Sequence, residues 1–96
     1  MNDTTVPIAE VRYRERASIR GRVRSIRVRP WGDNPTLEVV VVDDTGGLTL
    51  VFLARRHLAG VHPGTVMRAE GMVGAHQRRL AMLNPVYELE HVPVHS

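Results

Sequence analysis

Between Ile19 and Arg29 the chain alternates apolar and basic residues, and halfway along the alternation changes parity. Ile19, Gly21 and Val23 occupy odd positions, with Arg20, Arg22 and Arg24 between them. Ile26 and Val28 then take even positions, and Arg27 and Arg29 the odd ones. Successive side chains of a strand point to opposite faces, so a strand that keeps one face buried cannot change parity without an extra residue. A β-bulge supplies that residue, and it also bends the strand and increases its twist. The pattern therefore predicts one long strand, from about Ala17 to Val28, that turns a corner near Ser25-Ile26. Gly21 eases the same bend.

The rest of the chain reads as short strands. PWGDNP (30–35) predicts a loop, and TLEVVVVDD predicts a second strand rich in β-branched residues. DDTGG (43–47) predicts a tight turn in which Gly46 and Gly47 supply positive φ. LTLVFL then places Leu48, Leu50 and Phe52 on one face of a third strand. ARRHLAGVHPG is the one later segment that predicts a short helix, ended by Gly60. TVMRAEGMVG predicts strand four with Met67, Ala69, Gly71 and Val73 inward. AHQRR is a polar turn. LAMLNPVYELE predicts strand five, with Leu80 and Met82 inward and Asn84-Pro85 ending or bending it. Ahead of the first strand, VPIAEVRYRE predicts a helical turn with Ile8 and Val11 inward.

Five strands with one short helix between the third and fourth is the order of a Greek-key OB-fold barrel, an all-β architecture. The expected organisation is an N-terminal tail and helical turn over 1–16, the barrel over 17–90, and a tail over 91–96. Ninety-six residues suffice for one modest core. No apolar run approaches the roughly 20 residues of a membrane helix, and no signal peptide is visible, so a cytosolic location is expected.

Composition narrows the chemistry. The chain has no cysteine, which removes disulfides, Fe–S clusters and thiolate zinc sites. The five histidines and the carboxylates form no metal-ligand or acid–base pattern; His91 and His95 flank Pro93, which prevents a helix that would align them. No catalytic residue, metal site or cofactor is expected. All thirteen basic residues are arginine, and they are unevenly placed. Residues 12–29 hold eight arginines against one acid, while residues 36–96 hold five against six. Such asymmetry points to a polyanionic partner.

GRVRSIRVRP (21–30), VDDTGGLTLVFL (42–53), PGTVMRAEGMVG (63–74) and LAMLNPVYE (80–88) together resemble the nucleic-acid-binding OB-fold group, in particular the wedge domain of the helicase RecG and small stand-alone actinobacterial relatives. The likeness covers most of residues 17–89 and lies in turns, glycines and core positions. One departure is that Asp44 and then Phe52-Leu53 stand where wedge-like sequences have DGTG and a double Phe. There is no GxxxxGK[ST] loop, so the resemblance is to a binding module without a motor.

The resemblance implies binding of single-stranded or branched nucleic acid, DNA or RNA, weakly and with little sequence preference. The expected surface is the outer face of strands two and three, flanked by two loops. Arg24, Arg27 and Arg29 would meet phosphates beside the first loop, where Trp31 either stacks on a base or caps the barrel. His76, Gln77, Arg78 and Arg79 would do so from the second loop. Arg20, Arg22 and Arg24 have a duller reading as a salt-bridge ladder with Glu38 and Glu70. The outer face itself, with Val40, Val42, Val51 and Leu53, is apolar and lacks aromatic rings. It suggests an alternative use as a homodimer interface or as a dock for a protein partner.

Overall fold

The computed structural model of the chain describes residues 4–90, the Trp31 side chain excepted. Six strands form one mixed sheet: β1 (Arg16–Trp31), β2 (Asn34–Val42), β3 (Gly47–Leu53), β4 (Val66–His76), β5 (Arg79–Leu83) and β6 (Val86–Leu89). Their order is β1-β2-β3-β5-β4-β6, and a further β1–β4 pairing joins five of them into a near-closed ring. β5 runs parallel to β3 and antiparallel to β4, which closes the ring between two strands distant in sequence.

β1 serves both halves of the ring. Arg16–Arg22 pair with β4, and Arg22–Trp31 pair with β2. Val23 lies opposite Val41 and Ser25 opposite Val40, so Arg24 is the extra, bulged residue. The parity change is thus the expected bulge, and Val23 before it and Ile26 after it both reach the core. Gly21 sits where β2 leaves no room for a side chain: a Cβ there would lie 3.0 Å from the Val42 carbonyl oxygen.

The core fills from alternate positions. Ile19, Leu37, Val39, Val41, Leu50, Met67, Ala69, Val73 and Met82 are buried, and Gly71 continues the β4 row. Each large member stabilises the fold by roughly 1.5–3 kcal/mol through its apolar surface. The segment before β1 joins this core. A 3₁₀ turn at Ile8–Glu10 buries Ile8, with Val11 packed beside it. Backbone bonds from Val6 N–H to Ser18 and from Arg14 N–H to Val73 fix the segment's two ends.

Five expectations change. The region 54–65 holds no helix. Ala54, Gly60 and Gly64 all have positive φ, which a right-handed helix cannot contain, and the loop is anchored instead by buried Leu58 and Val61. The predicted 30–35 loop is a two-residue turn, Gly32-Asp33, because Pro30 and Pro35 pair opposite each other at the end of the β1–β2 hairpin. There both lie outside the sheet interior, where a missing N–H is tolerated. Gly46 and Gly47 do not adopt positive φ. The turn is held by the Asp43 carboxylate, which accepts from Thr45 N–H, Thr45 Oγ1 and Gly46 N–H. Lastly, strand five ends at Asn84-Pro85, one of the two outcomes expected there, and Val86–Leu89 resumes as a separate sixth strand. Positive φ at Asn84 shifts the pairing with β4 by one residue between β5 and β6. Leu80, expected inward, is exposed, because its partner Ala75 already lies beyond the core.

Candidate nucleic-acid interface

The strand register lays out the outer face. Ser25, Arg27 and Arg29 on β1 stand opposite Val40, Glu38 and Thr36 on β2. These in turn face Thr49, Val51 and Leu53 on β3. The β4–β5 hairpin then folds over this face. Its turn residues, Gln77 and Arg78, both have positive φ, as the tight turns that match strand twist require. From the last position of β4, next to that turn, His76 Nε2 reaches Glu38 Oε2 at 3.0 Å. A groove results between the β1–β3 face and the hairpin. Ser25, Arg27, Arg29, Glu38, His76 and Arg79 line its middle. It continues past Arg24 and Thr49 toward the Asp43 turn.

Six of the eight nucleic-acid residues expected from the sequence therefore converge on one groove: Arg24, Arg27, Arg29, His76, Gln77 and Arg79. Arg78 is exposed at the hairpin tip and does not line it. The backbone of Trp31 is the last residue of β1, paired with Asn34, so it belongs to a strand end and not to a long loop. Its side chain lies outside the described residues, as do His91 and His95.

The charges sort by partner. Arg20 donates from Nε and Nη2 to the two Glu90 oxygens, both at 2.7 Å. Arg68, directly opposite Arg20 in register, donates to the same carboxylate at 3.2 Å. Glu90 thus offsets a like-charge pair that would otherwise repel across the sheet. The Arg20 hydrogen bond, aided by Arg68, holds the Glu90 carboxyl below its ordinary range against desolvation, and the Arg20 guanidinium is raised in return. Arg22 Nη1 donates to the Gly64 carbonyl at 3.0 Å. The expected ladder with Glu38 and Glu70 is therefore replaced. Arg20 pairs with Glu90, Arg22 binds backbone, and Glu38 serves Arg29 and His76, at 3.2 and 3.0 Å. Arg24, Arg27 and Arg79 make no ion pair among the described residues, so the groove carries three guanidinium groups without a carboxylate partner.

The apolar outer face takes a different form from the one expected. Val51 is fully buried, and Val40, Val42 and Leu53 are only partly exposed. Of the large apolar side chains that do face outward, Met72, Leu80, Leu83 and Val86 lie on β4–β6, Val28 lies on β1, and Val6 and Tyr13 precede it. Glu38 lies on the outer face where the sequence places it, but Thr36, beside it in the groove, is not marked by the sequence pattern. Its place follows from the hairpin register, which a six-residue loop would have left undefined. No cluster of three or more His, Asp or Glu suited to a metal occurs among the described residues, and no helix there is long and apolar enough to cross a membrane.

No protein-family model and no curated protein matches the sequence. Among solved structures the chain is similar to the solution structure of the replication factor A related protein from Methanobacterium thermoautotrophicum. The two superpose with a TM-score of 0.69 over 92% of each chain, at 20% sequence identity. The likeness is one of fold, an OB-fold-like β structure.

Proposed function

We propose that this chain is an OB-fold module that binds single-stranded nucleic acid along the groove between the β1–β3 face and the β4–β5 hairpin. The observation that carries the proposal is the convergence of Arg24, Arg27 and Arg79, none ion-paired among the described residues, on one concave surface. Guanidinium groups there would hold backbone phosphates, and the neutral floor at Ser25, Val40 and Thr49 would lie under the bases. Binding of this kind is mostly independent of sequence and needs neither catalysis nor a cofactor. The similarity to a replication factor A related protein supports DNA as the partner, and the sequence likeness to the RecG wedge would extend it to branched DNA in the cytosol.

The test is a fluorescence-anisotropy titration with an end-labelled oligothymidine at several salt concentrations. Three phosphate contacts release counterions with a log–log slope of about −2, at roughly −0.7 per contact on a single strand. The double variant Arg27→Ala/Arg79→Ala should flatten that slope to about −0.7. An unchanged slope in the variant would take the groove out of the reading, and no binding at low salt would end it.

A further inference from the structure

We propose that one end of this groove is a base-reading subsite that takes a single guanine of the bound strand; the inference rests on the single-strand reading above. The pocket there, of about 410 Å³, is lined by Arg29, Pro30, Thr36, Glu38, His76 and Gln77. Three buried side-chain atoms have no hydrogen-bond partner among the described residues, and two of them, Arg29 Nε and Thr36 Oγ1, belong to residues that line this pocket and pair across β1 and β2. Arg29 Nε lies 3.2 Å from Glu38 Oε1, in charge contact but out of line for a hydrogen bond. Thr36 is only 2% exposed. Native proteins leave few such groups unsatisfied, and those they leave call for a reason.

Glu38 decides what the reason is. A carboxylate repels phosphate, so a strand in the groove must keep its backbone on the side of Arg24, Arg27 and Arg79 and turn a base toward Glu38. The carboxylate accepts only, through two oxygens, and the donors Arg29 and His76 flank it at 3.2 and 3.0 Å. Guanine presents two adjacent donors, N1–H and the N2 amine, to a two-oxygen acceptor, and beside them the O6 acceptor for Arg29 Nε–H or the Thr36 hydroxyl. Cytosine and adenine offer a single exocyclic amine to the carboxylate. Thymine and uracil turn two carbonyls toward it around one N–H. The affinity order at this one position is guanine, then cytosine and adenine, then thymine. The remainder of the groove stays indifferent to sequence.

The experiment compares a nine-nucleotide oligothymidine with the same strand carrying one central guanine, by anisotropy on the wild-type protein. The guanine strand should bind about tenfold tighter, the scale of one well-placed bidentate base contact. Glu38→Gln should bring the two strands within about twofold of each other and raise affinity for oligothymidine, because a negative charge leaves the groove. Its binding of oligothymidine also reports that the variant is folded. Thr36→Val, which keeps the shape and removes the hydroxyl, should lower the guanine preference. Equal wild-type affinities, or a guanine preference that survives in Glu38→Gln, would overturn this inference and leave the proposed function standing. Failure to bind either strand would overturn both.

Discussion

Replacing Asp43 with alanine removes the group that ties the β2–β3 turn to the segment before β1. Its Oδ1 accepts from Thr45 N–H at 2.7 Å, Thr45 Oγ1 at 2.6 Å and Gly46 N–H at 3.0 Å. Its Oδ2 accepts from Ile8 N–H at 2.9 Å. The three turn donors are exposed and regain water, so each contributes about 0.5 kcal/mol. Ile8 is buried, so its freed N–H carries a desolvation cost of about 1–1.5 kcal/mol. Asp43→Ala should therefore destabilise by about 2.5–3 kcal/mol, roughly 10–24 °C for a domain of this size. Asp43→Asn keeps one oxygen, best used on the three turn donors, and points its amide at Ile8 N–H. It should lose about half as much.

The same carboxyl sets an acid limit. Desolvation pushes its pKa up, but the bonds from Thr45 and from the Ile8 and Gly46 amides outweigh that and hold it below its ordinary 3.8. A depressed folded-state pKa means the stabilisation is complete above the ordinary value and fades as pH falls through the lowered one. Glu90 is depressed too and acts in the same window, so removing Asp43 should make the acid leg shallower without abolishing it. Urea unfolding followed by far-UV circular dichroism, from pH 7 down to pH 3, measures both effects. Equal losses for Ala and Asn at neutral pH, or an unchanged acid leg, would refute the division between the two oxygens.

Two further outcomes follow from burial and backbone geometry. Val51→Asp places a charge at a fully buried position, and the expected loss, above about 4 kcal/mol, should leave no cooperative thermal transition. A folded Val51→Asp protein would show that the outer face is open after all. Arg78→Gly relieves a residue held at φ 68° and should raise the melting temperature by a few degrees in calorimetry, with glycine's extra unfolded entropy cancelling part of the gain. A lower melting temperature would mean that the hairpin tip depends on the arginine side chain.

What the sequence reveals and what it hides divide along physical lines. The bulge in β1 was legible because a parity change in one strand has a single cheap explanation, and it fell within a residue of the expected site. The β4 row Met67, Ala69, Gly71 and Val73 was legible because one face of that strand is continuously buried. Leu80 was misplaced because alternation states which face a residue takes but not where the core ends along the strand. The 54–65 loop hid its geometry in the positive φ of Ala54, which no residue type announces. Within the site, the arginines of the groove could be chosen by their nearness to the two hairpin tips. The partners that remove Arg20 and Arg22 from it, Glu90 and the Gly64 carbonyl, are 70 and 42 residues away in the chain and become neighbours only when the ring closes.

The central claim is that single-stranded nucleic acid lies in the groove under the β4–β5 hairpin. Amide chemical-shift mapping with a short oligothymidine tests it most directly. The account predicts shifts confined to Arg24–Arg29, Thr36–Val40, Thr49 and His76–Arg79, with Arg20, Arg68 and Glu90 unmoved. Shifts gathered around the Arg20–Glu90–Arg68 cluster, or spread without regard to the groove, would contradict it.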